Sequence, residues 1–122
     1  MRCVKGAAVL DVSVDIRKGS QTYSQHVAIE LTKENHLQFF VPRGFAHGFA
    51  VLSKTVVLQY KCGNSYAPQA DGGIYFIEDC LSIDWKSLIE NALHSEKDTK
   101  HALLKGFNSP FCIDMDLYPE FE

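Results

Sequence analysis

No apolar run in this chain is long enough to cross a bilayer, because charged residues interrupt each one. No basic cluster appears, and the formal net charge of −3 gives no electrostatic footprint for nucleic acid. The four cysteines, Cys3, Cys62, Cys80 and Cys112, include no C-x-x-C pair, so the spacing offers no structural zinc site. The opening Met-Arg-Cys-Val-Lys-Gly has no signal-peptide core, so the thiols are expected to be reduced and the protein cytoplasmic. No repeat, low-complexity tract or linker divides the chain. What is there is 122 residues, 46% hydrophobic and 22% charged, which reads as one domain over residues 1–122 with a single small core.

The apolar residues recur with the period of strands. From Ala8 to Ile16, Leu10, Val12, Val14 and Ile16 fall on one face and Asp11, Ser13 and Asp15 on the other, the pattern of a half-buried strand. Arg17-Lys18-Gly19-Ser20 reads as a turn. His26 to Leu31 alternates again. Leu37 to Val41 reads as a short strand stopped by Pro42, which lacks the amide proton a strand interior needs. Phe45 to Leu52, Thr55 to Cys62 and Ile74 to Ile77 are further strands, and Lys86 to His94 has helix-like spacing. Many short strands with frequent turns predict an all-β sandwich or barrel.

Val41-Pro42-Arg43-Gly44-Phe45-Ala46-His47-Gly48-Phe49 is the most informative stretch. It sets an imidazole among apolar residues, with glycines that let the backbone bend and approach a neighbour. Such a ring can hydrogen-bond, take up a proton or bind a metal, or it can be a satisfied core histidine.

Six motifs in order carry a resemblance. They are Asp11-Val12-Ser13-Val14-Asp15-Ile16-Arg17-Lys18-Gly19-Ser20, Pro42 to Phe49, Tyr60-Lys61-Cys62, Tyr66-Ala67-Pro68, Ile83-Asp84-Trp85 and Ser95-Glu96-Lys97-Asp98, with Ser109-Pro110-Phe111 near the end. This series resembles the dTDP-4-dehydrorhamnose 3,5-epimerases, the RmlC-type cupins. The resemblance implies a double-stranded β-helix (jelly roll) and usually a homodimer. It implies a nucleotide-diphospho 4-keto-6-deoxy sugar as substrate, with no metal and no cofactor. His47 has no second histidine two residues on to make a ligand pair.

The chemistry such a substrate demands is definite. Its C4 ketone makes the protons on C3 and C5 acidic, because the carbanion left behind is an enolate. A base must take the proton, a donor must hold the enolate oxygen, and an acid must return a proton to the opposite face. The resemblance makes Tyr60 the general acid; a tyrosine, with an ordinary pKa of about 10, keeps its proton until a strongly basic enolate takes it. It makes His47 a pocket residue bonding substrate, Tyr66 a second pocket tyrosine and Lys97 a basic residue near the diphosphate. It makes Asp98 the carboxylate that orients the catalytic histidine. Read without the family, Tyr60 is a stacked strand tyrosine, His47 is core packing, Tyr66 caps a loop, and Lys97 and Asp98 are surface charges.

The family's base histidine lies in an Arg-x-x-His stretch upstream of the segment that matches here, and the lysine supporting the enolate lies just before it. The chain is therefore expected to be the C-terminal portion of the family domain, lacking the early strands, with Met1 as an altered start within a longer gene. His26, His36, His94 and His101 do not match the base position. The isolated chain is accordingly expected to be a weak or inactive epimerase. Uncovered sheet edges are expected to drive a homodimer or higher assembly. Two alternatives are a non-catalytic sugar-nucleotide binder or fold relic, and a ketoisomerase acting on the same substrate class.

Overall fold

The computed structural model describes residues 1–6, 8–65, 67–75, 81–85, 98 and 100–119. Five strands carry the described fold: β1 (Arg2–Gly6), β2 (Val9–Asp15), β3 (His26–Leu31), β4 (Phe45–Val51) and β5 (Val56–Gln59). Single 3₁₀ turns occupy Pro68–Ala70 and Leu104–Gly106. One antiparallel sheet has the order β3-β2-β4, and β1 pairs with β5 in a second.

β2 is the central strand, and this changes its character. All seven of its residues are buried, including Asp11, Ser13 and Asp15. The expectation of a half-buried strand with a wet polar face is therefore wrong. The alternation is real, but β2 itself is buried on both faces because β3 and β4 flank it. On one face Leu10, Val12 and Val14 join Ile16, Leu81, Trp85 and Leu104 in the main core, with Ala46 and Ala50 of β4 packed against it. The opposite face carries Val9, Asp11, Ser13 and Asp15, which lie across from Val51, Phe49, His47 and Phe45 of β4. On its other side β2 sets Val9, Asp11 and Ser13 across from Leu31, Ile29 and Val27 of β3. Val9 and Leu31 close one end of this face against Cys3, with Met1, Ile29, Phe39, Val56 and Leu58 around them.

The predicted strand at Leu37–Val41 does not form. His36 takes a positive φ of 55°, which turns the chain. The Leu37 amide donates to Asn35 Oδ1 at 3.1 Å, a local turn bond, and Phe39 is tied by reciprocal bonds of 2.8 Å between its amide and carbonyl and the Met1 carbonyl and amino group. Phe40 is 77% exposed, so the apolar residues there have no common surface to face. Conversely, β1 carries no clear alternation yet is a strand, because β5 supplies its hydrogen bonds across a register shift between Cys3 and Lys5. Ile74 makes one isolated bridge to Ala102; Phe76, Ile77 and the predicted helix over Lys86 to His94 lie outside the described residues.

Candidate functional site

His47 stands on β4 across from Ser13, one diagonal step from Asp11 on the same face. Its Nε2 hydrogen-bonds Asp11 Oδ1. Asp11 is completely buried, while 30% of the His47 side chain is open to solvent. The ring therefore has one nitrogen anchored in the sheet interior and an edge toward the outside. Asp11 Oδ2 and Ser13 Oγ are buried on the same face and have no hydrogen-bond partner among the described residues. Phe49 (49% exposed), Val51 and Val27 are exposed on this face. The site is thus a buried acid, a half-open imidazole and an apolar rim.

Two further networks hold the ends of the strands that build it. Asp15 accepts from Arg17 Nε at 3.0 Å and Arg17 Nη2 at 2.9 Å, from Ser20 Oγ and Thr22 Oγ1 at 2.6 Å, and from the Arg17 amide at 3.0 Å. Burial by itself raises the Asp15 carboxyl, but these donors outweigh it and hold it well below the usual carboxylate range. The Arg17 guanidinium also lies 4.8 Å from the Phe45 ring centroid, joining the start of β4 to the end of β2. Before β4, the Arg43 amide donates to Tyr118 Oη at 2.7 Å and Arg43 Nη1 donates to the Leu117 carbonyl at 2.7 Å. Gly44 follows with φ 89°, and a Cβ there would sit 2.8 Å from Arg17 Cγ. A cavity of about 250 Å³ lies between Arg17, Pro42, Arg43, Cys112, Asp116 and Tyr118. Neither His47 nor Tyr60 lines it.

Of the expected site residues, His47, Tyr60 and Asp98 are described. Tyr60 follows β5, a strand of the two-stranded sheet, by one residue and is 65% exposed, whereas His47 lies within β4 of the three-stranded sheet. Asp98 has His101 Nε2, from a histidine three residues along, 3.6 Å from its Oδ1. Tyr66 and Lys97 lie outside the described residues. Among the described residues no cluster of three His, Cys, Asp or Glu side chains could hold a metal ion. No helix among them is long and apolar enough to cross a membrane.

Sequence reasoning missed Asp11 as the partner of His47. The available signal was an acid at a period-two position within a strand whose other face is wholly aliphatic, since aspartate is rarely buried unless paired. Nothing local identifies the partner, which is 36 residues away.

The sequence profile of dTDP-4-dehydrorhamnose 3,5-epimerase matches residues 1–106. The enzyme of that name from Methanothermobacter thermautotrophicus is 40% identical over 99 residues, covering 80% of this chain and 53% of the relative. The one from Shigella flexneri is 43% identical over 98 residues, covering 80% of this chain and 52% of the relative. Among solved structures, the Elizabethkingia anophelis dTDP-4-dehydrorhamnose 3,5-epimerase superposes with a TM-score of 0.80 at 47% identity, covering 85% of this chain and 57% of that one. The Legionella pneumophila dTDP-6-deoxy-D-glucose-3,5-epimerase, crystallised with dTDP-4-keto-L-rhamnose, gives a TM-score of 0.81 at 41% identity, covering 88% and 56%. The chain spans about half the length of the curated relatives it matches. The all-β jelly roll of these cupins is the fold expected from the sequence. By profile, identity and fold together, the chain belongs to the dTDP-4-dehydrorhamnose 3,5-epimerase family.

Proposed function

We propose that this chain serves a dTDP-4-dehydro-6-deoxy-sugar 3,5-epimerase of deoxysugar biosynthesis, supplying the proton-donor side of the reaction. Its substrate is a nucleotide-diphospho 4-keto-6-deoxy sugar. The observation that carries this reading is His47, held by a buried carboxylate on an open sheet face within the motif Pro42 to Phe49. Tyr60 returns the proton to the enolate, His47 bonds the sugar, Tyr66 and Lys97 contact the nucleotide end, and Asp98 orients a histidine. Tyr60 is 65% exposed, so its hydroxyl is accessible to a ligand. The free thiols of Cys3, Cys62 and Cys112 suit the reducing cytoplasm, where we place the protein.

A second reading applies to these 122 residues tested alone: a binder of the sugar nucleotide with little or no turnover. Two observations favour it. Tyr60 follows a strand of the two-stranded sheet while His47 lies within the three-stranded one, and Asp98 has the His101 ring 3.6 Å away. The chain acts as a single cupin domain and is proposed to form a homodimer that covers the apolar rim of Val27, Phe49 and Val51. Sedimentation of a monomer at tens of micromolar would count against the dimer.

The deciding experiment places the purified chain in deuterium oxide with dTDP-4-keto-6-deoxyglucose and follows C3 and C5 by NMR. Deuterium at either carbon above the no-protein rate supports the epimerase reading. Binding with no exchange supports the second reading, and neither binding nor exchange sinks both.

A further inference from the structure

We infer that Asp11 is the positioning residue that sets the proton arrangement of His47, fixing hydrogen on Nε2 and leaving Nδ1 as the nitrogen offered to a ligand. An ionised carboxylate only accepts hydrogen bonds, so the ring atom facing it must be a donor. That atom is Nε2. Nδ1 has no hydrogen-bond partner among the described residues, and 30% of the side chain is open to solvent.

The pairing is strongly held, and the reason is Asp11 rather than His47. The carboxylate is fully buried, and its second oxygen has no partner among the described residues. Among the described residues His47 is therefore its one side-chain hydrogen-bond partner. A buried carboxylate left unpaired is severely destabilising, so the pair resists ring flips that would remove the Nε2 proton from Asp11. The neighbouring Ser13 Oγ is buried without a partner and offers the ring no competing bond. A neutral His47 can then accept a hydrogen bond from a ligand hydroxyl at Nδ1, and a protonated one can donate there. In both states the direction of the ring is set from inside the sheet.

The functional consequence rests on His47 facing the sugar, as proposed above, but the proton arrangement does not. The test therefore reads the ring directly. Long-range ¹H–¹⁵N correlation spectra of the ¹⁵N-labelled chain, at about pH 8.5 where an ordinary histidine is neutral, report the proton on each nitrogen. The His47 signals are assigned by their loss in His47→Gln. A protonated Nε2 in the wild type is the expected result, whatever Nδ1 carries. A bare Nε2 overturns the inference outright and needs no variant. In Asp11→Asn the neutral amide can present either its oxygen or its NH₂ to the ring, so the Nε2–H to Nδ1–H ratio is expected to fall about tenfold. An unchanged ratio in a folded Asp11→Asn protein also overturns it. Should Asp11→Asn not fold, the wild-type spectrum decides alone. Failure of deuterium exchange with a protonated Nε2 would sink the epimerase reading and leave this inference standing.

Discussion

Arg43 meets Tyr118 twice: its amide donates to the phenol oxygen at 2.7 Å, and its guanidinium lies 4.7 Å from the ring centroid. This double contact fastens a segment beyond the family match, which ends at residue 106, to the loop that leads into β4 and His47. The same segment pairs with Lys18, whose amide donates to Phe111 at 2.9 Å and whose carbonyl accepts from Ile113 at 2.8 Å. Residues 109–118 thus strap the ends of β2 and the approach to β4 together.

Tyr118→Phe keeps the ring and removes the oxygen, leaving the Arg43 amide without its acceptor. A loss of about 1–2 kcal/mol is expected in urea unfolding, because an unsatisfied donor carries its desolvation penalty. Tyr118→Ala removes the stacking as well and should lose about 1 kcal/mol more. If both variants unfold at the wild-type midpoint, the strap contributes nothing to stability.

Asp15 makes stability depend on pH in a definite direction. Its folded carboxyl titrates below the ordinary value of 3.8, held there by Arg17, Ser20 and Thr22 against the opposing effect of burial. The unfolded chain therefore takes up this proton first, so the contribution is complete above the ordinary value and drains away as pH falls below it. Asp15→Asn should destabilise by about 2–4 kcal/mol near neutrality, toward the low end for breaking a buried pair because Arg17 is 26% exposed. The gap between wild type and variant should narrow steadily below about pH 4. A gap that stays constant down to pH 2 would show that the network gains nothing from the charge.

Gly6 cannot accept a side chain. It holds φ 100°, and a Cβ there would lie 2.3 Å from the Thr55 carbonyl oxygen, a backbone atom with little room to move. Gly6→Ala should cost about 2–4 kcal/mol, from strain together with damage to the pairing of Gly6 with Val56. Loss of amide-exchange protection confined to β1 and β5 would place the damage where the contact predicts.

His47→Phe strips Asp11 of its partner, whereas Asp11→Asn with His47→Phe removes the stranded charge. The single His47 variant is expected to lose about 3–5 kcal/mol, and the double variant to recover about 1–3 kcal/mol of that. Additive losses in the thermodynamic cycle would mean that the two side chains are not coupled.

Tyr60→Phe tests the acid role. In any preparation that shows exchange, it should lower formation of the epimerised product by about 10²–10⁴-fold. Binding of the sugar nucleotide should change little, since only the proton to be transferred is removed. Equal losses in binding and turnover would make Tyr60 a contact residue instead.

Much of the fold was legible locally. The period-two alternation around Leu10, Val12 and Val14 marks a strand wherever it is placed, because successive side chains must point to opposite faces. The turn at Arg17–Ser20 was legible for a similar reason, with Gly19 at φ 83° and the Ser20 amide bonded to Arg17 at 3.2 Å. Leu37–Val41 misled because apolar residues satisfy a strand pattern without proof of a partner strand. β1 was missed for the converse reason, since its hydrogen bonds come from β5, fifty or more residues away.

The sequence by itself determined the strand periods, the bend at Pro42 and Gly44, and the ordered motifs that place the chain in its family, because each is a property of neighbouring residues. Only the tertiary structure decided that β2 is central, that its acids are buried, and that Asp11 rather than any nearer group meets His47. Sheet order and register bring together residues far apart in the chain, and a buried charge acquires its meaning from the partner that this long-range pairing delivers.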